Sequence, residues 1–112
     1  MTLKVKKIID ELDLEILVEG DLTRKIEGGY CCDLLSNVMA RAEKNDIWLT
    51  LQGHQNIVAV ASLTDVSAIL VVEDFDVEAK TIEKAKSEEI NILRSSLSAY
   101  QLAGKLFELG IK

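Results

Sequence analysis

Asn56-Ile57-Val58-Ala59-Val60-Ala61-Ser62-Leu63 decides how the rest of the chain is arranged. Its core, Ile57 to Ala61, is β-branched and apolar, which suits a buried strand. An all-apolar run of this length suits a buried helix equally well. The next segment separates the two readings. Ser67-Ala68-Ile69-Leu70-Val71-Val72 is a clear strand, and Asp46-Ile47-Trp48-Leu49-Thr50-Leu51 before it is another. Two parallel strands require a crossover between them, and the crossover is usually a helix. The run from Asn56 to Leu63 is therefore expected to be helical.

Working outward, the same alternation recurs. Val5, Ile8, Ile9 and Leu12 stand at helical spacing, so Leu3 to Leu12 reads as a short amphipathic helix. Leu14 to Val18 reads as a strand. Asp21 to Ile26 is a polar connection with room for a short strand at Lys25-Ile26. Asp33 is placed to cap a helix over Leu34 to Ala42, whose leucine, methionine and alanine favour helix. Gly53 turns the chain after the Trp48 strand. Asp76 is expected to cap Val77 to Glu89, where Lys80 with Glu83 and Lys84 with Glu88 can pair on a wet face. Ile90 to Leu93 reads as a strand. A helix over Ser98 to Leu109 follows, capped by Ser96 or Ser98 and ended by Gly110. The expected class is α/β: three layers, α/β/α, around a mainly parallel sheet.

Bulk properties narrow the function classes. The 112 residues fit one domain, read as 1–112, with 48% hydrophobic and 29% charged residues. Nineteen acidic against 13 basic residues give a formal charge of -6. That balance repels phosphate backbones and anionic membranes, and the densest basic cluster, Lys4 to Lys7, is followed at once by Asp10 and Glu11. Neither nucleic acid nor membrane is an expected partner. No apolar run reaches the ~20 residues of a membrane span, and the N-terminus lacks the pattern of a secretory signal. The expected location is cytoplasmic. Two cysteines imply neither a disulfide framework nor a metal cluster.

Ligands of parallel α/β sheets sit beyond the carboxyl ends of the strands. Three loops qualify: Gln52 to Asn56, Glu73 to Asp76, and Arg94 to Ser98. Free N–H groups at Ser95, Ser96 and Ser98 would suit an anion. The same serines also suit a helix cap, with Ser98 and Gln101 forming a capping box. His54, the only histidine, reads as a polar turn residue bonded to backbone. Glu73 to Asp76 reads as helix-start chemistry, with a divalent cation as the alternative. Cys31-Cys32 is not a CxxC pair. A helix N-terminus would activate Cys32, and Asp33 opposes it, so two small packing residues are the simpler reading. Gly28-Gly29 matches neither a P-loop nor a dinucleotide fingerprint. It is expected to supply a turn with positive φ or a close backbone approach.

These segments together resemble the DRTGG-domain family. The resemblance is carried by Asp21-Leu22 through Gly28-Gly29-Tyr30, Asp33-Leu34-Leu35-Ser36, Ile47-Trp48-Leu49-Thr50, Asn56 to Ala61, Ile90 to Leu93 and Ser98-Ala99-Tyr100. It spans Leu14 to Leu109. The chain departs from the family's name residues: it has Gly53-His54-Gln55 where the family shows Gly-Asp-Arg, and Val72-Glu73-Asp74 where it shows Thr-Gly-Gly. The family is similar to the N-terminal domain of HPr kinase/phosphorylase, and also occurs beside CBS domains. The resemblance implies an α/β/α regulatory or interaction domain that self-associates, with no catalysis and no cofactor of its own. No Walker-type loop is present to cradle a triphosphate, so kinase activity does not carry over. The alternative function is a sensor for a nucleotide or another anion. Its candidate ligand residues are Gly28, Gly29, Tyr30, Thr50, Gln52, His54, Asn56, Ser95, Ser96 and Ser98.

Overall fold

A computed structural model describes residues 2–112. Its main sheet has five strands in the order β2-β7-β6-β5-β4. The strands are β2 (Glu15–Val18), β4 (Gly28–Cys31), β5 (Asp46–Thr50), β6 (Ala68–Val71) and β7 (Ile92–Arg94). The pairs β4–β5, β5–β6 and β6–β7 are parallel, and β2 joins β7 antiparallel. A separate antiparallel pair joins β1 (Leu3–Lys4) to β3 (Lys25–Ile26). The helices are α1 (Val5–Leu12), α2 (Leu35–Arg41), α3 (Asn56–Thr64), α4 (Ala79–Glu88) and α5 (Ala99–Glu108).

The period of two along each strand divides the core into two halves. Ile47, Leu49, Ala68, Leu70 and Leu93 face Val5 and Ile8 of α1 and Leu102 and Leu106 of α5. Trp48, Ile69, Val71 and Ile92 face Val38 of α2, Ile57, Val58, Val60 and Ala61 of α3, and Ala85 of α4. The three-layer α/β/α architecture is as expected. So is the helical crossover: α3 spans Asn56–Thr64 and ends at Asp65 in the left-handed region. It is apolar on most sides because it lies between the sheet and two helices, touching both α2 and α4.

Several boundaries differ from expectation. Leu3 and Lys4 are not helical but pair with Ile26 and Lys25. Gly28 to Cys31 is not a turn. It is an edge strand in parallel register with Asp46 to Leu49. Neither glycine has positive φ; Gly110 is the only glycine that does, among the described residues. Their use is close approach: a Cβ on Gly28 would come within 2.8 Å of Asp46 Oδ1, and one on Gly29 within 3.4 Å of Ile47 Cγ2.

Two expected caps are absent. The residue at the start of α2 is Leu34, with no side-chain cap, and α4 begins only at Ala79, behind Glu78. Asp33 is drawn off by tertiary partners, described below. The capping box at Ser98 and Gln101 is present in full. Lys84 pairs with Glu88 at 3.6 Å, whereas no Lys80–Glu83 ion pair forms among the described residues.

A buried asparagine fixes the opposite end of the sheet. Asn91 donates to the carbonyls of Asp21 (2.8 Å) and Ser67 (3.0 Å) and accepts from Gly20 N–H (2.7 Å). One side chain thus ties Gly20 and Asp21 to the start of β6 and gives the carbonyl of buried Ser67 a partner.

Candidate functional site

The carboxyl ends of β4, β5, β6 and β7 share one rim of the sheet, and the amino end of antiparallel β2 joins them. The expected ligand residues fall into three groups along it.

The first group lies beyond β5. Buried Thr50 donates from Oγ1 to Asp33 Oδ1 at 2.8 Å. The same carboxylate oxygen accepts from Leu51 N–H at 2.7 Å, and Gln52 Nε2 donates to Asp33 O at 3.0 Å. Asp33 therefore ties the loop after β4 to the end of β5, which is why it does not cap α2. Gly53 O accepts from Thr81 Oγ1 (2.7 Å) and Glu78 N–H (3.1 Å), so this loop also holds the start of α4. His54 Nδ1 accepts from Asn56 N–H at 3.2 Å. The histidine is bonded to backbone at the start of α3, in agreement with its reading as a turn residue.

The second group lies beyond β7. Ser95 Oγ accepts from Leu97 N–H at 3.1 Å, and Ser98 Oγ accepts from Gln101 N–H at 3.2 Å. Glu73 and Asp74 both have left-handed backbone, and their N–H groups donate to Leu97 O and Ser95 O at 2.9 Å each. The acidic loop is thus a clasp between β6 and the β7–α5 connection. It does not start α4, and no cluster of three or more potential metal ligands occurs among the described residues.

A cleft of about 380 Å³ opens here, lined by Asp13, Glu15, Asp74, Arg94, Ser95 and Ser96 together with leucines. Arg94 Nε and Nη2 donate to Glu15 Oε1 and Oε2 at 3.0 and 3.3 Å, across the antiparallel β2–β7 pair. Three carboxylates face one arginine that is already paired. The field in this cleft opposes a phosphate. Asp13, Glu15 and Asp74 were absent from the expected set. Asp74, Arg94, Ser95 and Ser96 stood within loops the sequence singled out, whereas Asp13 and Glu15 did not.

The third group does not reach the rim loops. Gly28, Gly29 and Tyr30 run along the edge strand. Tyr30 packs towards α2, and its hydroxyl accepts from Asn37 Nδ2 at 2.6 Å. Trp48 Nε1 donates to Cys32 O at 3.0 Å. On the opposite face of β4, Gly29 carries no side chain and Cys31 only a small one. An apolar cleft of about 200 Å³ results, bounded by Gly29, Cys31, Ile47, Ala103, Phe107 and Ile111.

Cys31 shows no sign of activation. Burial, then the nearby charge of Asp33, then Cys32 push the Cys31 thiol above its ordinary value. The thiolate is the reactive form, so its population near neutral pH falls below that of a free thiol. Cys31 is expected to label with a maleimide or disulfide reagent more slowly than a model thiol at pH 7 to 8. Its rate should rise towards the intrinsic value only at more alkaline pH. Labelling faster than the model thiol would refute this.

No protein-family model matches the sequence, and the search of curated proteins found no relative. A solved structure does match: the CBS and DRTGG domains of the regulatory region of Clostridium perfringens pyrophosphatase, complexed with its activator, diadenosine tetraphosphate. The two are similar with a TM-score of 0.74 at 18% identity, over 92% of this chain and 45% of that one. The chain thus spans less than half the length of the structure it matches, and the likeness is one of fold. The expected DRTGG-like fold is borne out. What it resembles is a regulatory region, not a catalytic domain. Among the described residues, no helix is long and apolar enough to cross a membrane.

Proposed function

We propose that this chain is a single DRTGG-like regulatory domain of the cytoplasm. It works by association, as a homodimer that engages a protein partner, and performs no chemistry of its own. The observation that carries this reading is an exposed aromatic stripe on α5, where the Lys112 ammonium stands over one ring, Phe107, 5.2 Å from its centroid. Tyr100 is 90% exposed and Phe107 57% exposed, two helical turns apart on the same side, with Ala103 and Gly104 between them. The stripe continues into the apolar cleft beneath Gly29. Exposed aromatics that join an apolar cleft are the composition of an interface core, whereas apolar side chains scattered singly need no such account. The fold shared with a regulatory region supports the same reading.

A second reading follows from the activator bound to that region: a sensor for a nucleotide or another anion at the strand ends. The residues for it are Thr50, Gln52, His54 and Asn56, with Ser95, Ser96 and Ser98 on the far side of β6. The acidic excess around Arg94 weighs against the serine side. In the β5 loop the Thr50 hydroxyl is already given to Asp33.

Sedimentation from low to several hundred micromolar, with a parallel thermal-shift screen against adenine nucleotides and phosphorylated metabolites, tests both. The expected result is a concentration-dependent dimer with no shift. A monomer throughout would overturn the first reading. A ligand at a hundred times its Kd would stabilise the fold by about 2.7 kcal/mol, so a clear shift would establish the second.

A further inference from the structure

We infer that the surface through which two copies meet is the free edge of β4, with the two sheets joined antiparallel through Gly29 and Cys31 about a twofold axis at Tyr30. This rests on the homodimeric reading and names its interface.

The edge has hydrogen bonds to offer. Among the described residues β4 has one strand neighbour, β5. Cys32 N–H donates to Leu49 O, towards β5. By the alternation of strand backbone, Tyr30 also faces β5, while Gly29 and Cys31 present N–H and C=O outward. Edges are commonly blunted by lysine, proline or an inward charge. Gly-Gly-Tyr-Cys has none of these.

The register follows from the spacing. Two outward residues separated by one inward residue are self-complementary in an antiparallel pair. Gly29 of one copy opposes Cys31 of the other, and each such pair exchanges two N–H···O bonds, so the seam holds four. An axis at Gly29 would instead oppose Cys31 to Glu27. Glu27 N–H is already given to Asn45 O at 2.9 Å, so two of the six bonds of that register cannot form and it holds no more than the seam at Tyr30.

The two faces of the seam also fit a second copy. On the α2 side Tyr30 opposes Tyr30, an aromatic cross-strand pair. On the α5 side, glycine at 29 keeps the apolar cleft open, and Phe107 flanks it. The joined sheet brings the cleft and Phe107 of both copies to the same side and shields them from water. The like charges that the register brings near each other are already engaged. Glu27 accepts from Asn45 Nδ2 at 2.7 Å and pairs with Lys25 at 3.6 Å, and Asp33 is held by Thr50 and Leu51.

The test is an engineered crosslink. In this register the two Tyr30 residues form a non-hydrogen-bonded pair, with Cα atoms about 4.5 Å apart, within disulfide range. Tyr30→Cys in a Cys31→Ser, Cys32→Ser background is expected to form a covalent dimer on mild oxidation, and the background alone none. Gly29→Pro removes an outward N–H while sparing the bonds to β5. It is expected to weaken dimerisation by at least about tenfold. Circular dichroism identifies a variant that has not folded, and the other then decides.

A wild-type dimer without a Tyr30→Cys crosslink, or one indifferent to Gly29→Pro, would overturn the edge assignment. Self-association would then belong to another face. A wild-type chain that stays monomeric would overturn the homodimeric reading itself, and the edge assignment with it.

Discussion

Trp48→Ala is expected to cost about 3–5 kcal/mol, the usual penalty for emptying a buried aromatic site. Trp48 is fully buried in the middle of the sheet, with Tyr30 and Ile69 as its register partners on β4 and β6. Its ring fills the half-core shared with α2 and α3. Its indole N–H satisfies Cys32 O, so truncation also leaves a partly buried carbonyl unpaired. For a chain of this size, whose whole stability is of order 5–15 kcal/mol, the loss is a large share of the total. Thermal unfolding followed by circular dichroism should show the midpoint lowered by at least about 12 °C. Trp48→Phe separates the two contributions, since it keeps most of the ring and removes the donor. It should lose much less. A Trp48→Ala variant within about 1 kcal/mol of wild type would show that the ring is not the keystone of this half-core.

How much of this was legible beforehand follows one rule: elements whose stability is coded by their own side chains could be read, and those made by pairing could not. Ile47, Leu49 and Trp48 announce a central strand because apolar residues on both faces demand cover on both faces. Ser98 and Gln101 announce a capping box because the motif closes on itself within four residues. The run from Asn56 was ambiguous alone and became a helix through the need to connect two parallel strands.

β4 was hidden because Gly28 and Gly29 carry no pattern. What makes them a strand is the backbone of β5, seventeen or more residues later. Leu3 and Lys4 were hidden for the same reason, as their partners are Lys25 and Ile26. Cap chemistry at Asp33 was read as local, but a carboxylate will satisfy whichever donors the fold brings, and the fold brings Thr50 and Leu51. The rim followed the same division. His54 was placed correctly by local chemistry. The acidic character of the cleft at Arg94 depends on Asp13, Glu15 and Asp74, which only the topology assembles.

The second large effect lies in the loop between β5 and α3, where four of the ten candidate ligand residues stand. Gly53→Ala is expected to destabilise by about 1–3 kcal/mol or more, the range for forcing atoms into filled space. Gly53 does not have the left-handed backbone that usually explains a glycine. Its constraint is proximity: a Cβ there would lie 2.9 Å from the carbonyl carbon of Asp76, closer still to its oxygen, and 3.1 Å from Val77 Cα. All of these are backbone atoms, and they cannot rotate away as a side chain would. The stitch from Glu78 N–H and Thr81 Oγ1 to Gly53 O would have to stretch, loosening the start of α4 together with Gln52 and His54. The matched control is Gly104→Ala, where a Cβ meets nothing within 4 Å. At an exposed position inside α5 that change should stabilise, by up to about 1 kcal/mol, through helix propensity alone. Denaturant midpoints of the two variants should therefore move in opposite directions. If Gly53→Ala instead matched Gly104→Ala, the β5–α3 loop would have slack, and its polar groups would be free to rearrange around a ligand. If the midpoints diverge, the loop is a fixed strut between β5 and α4, and association at another surface is the stronger account of what this fold is for.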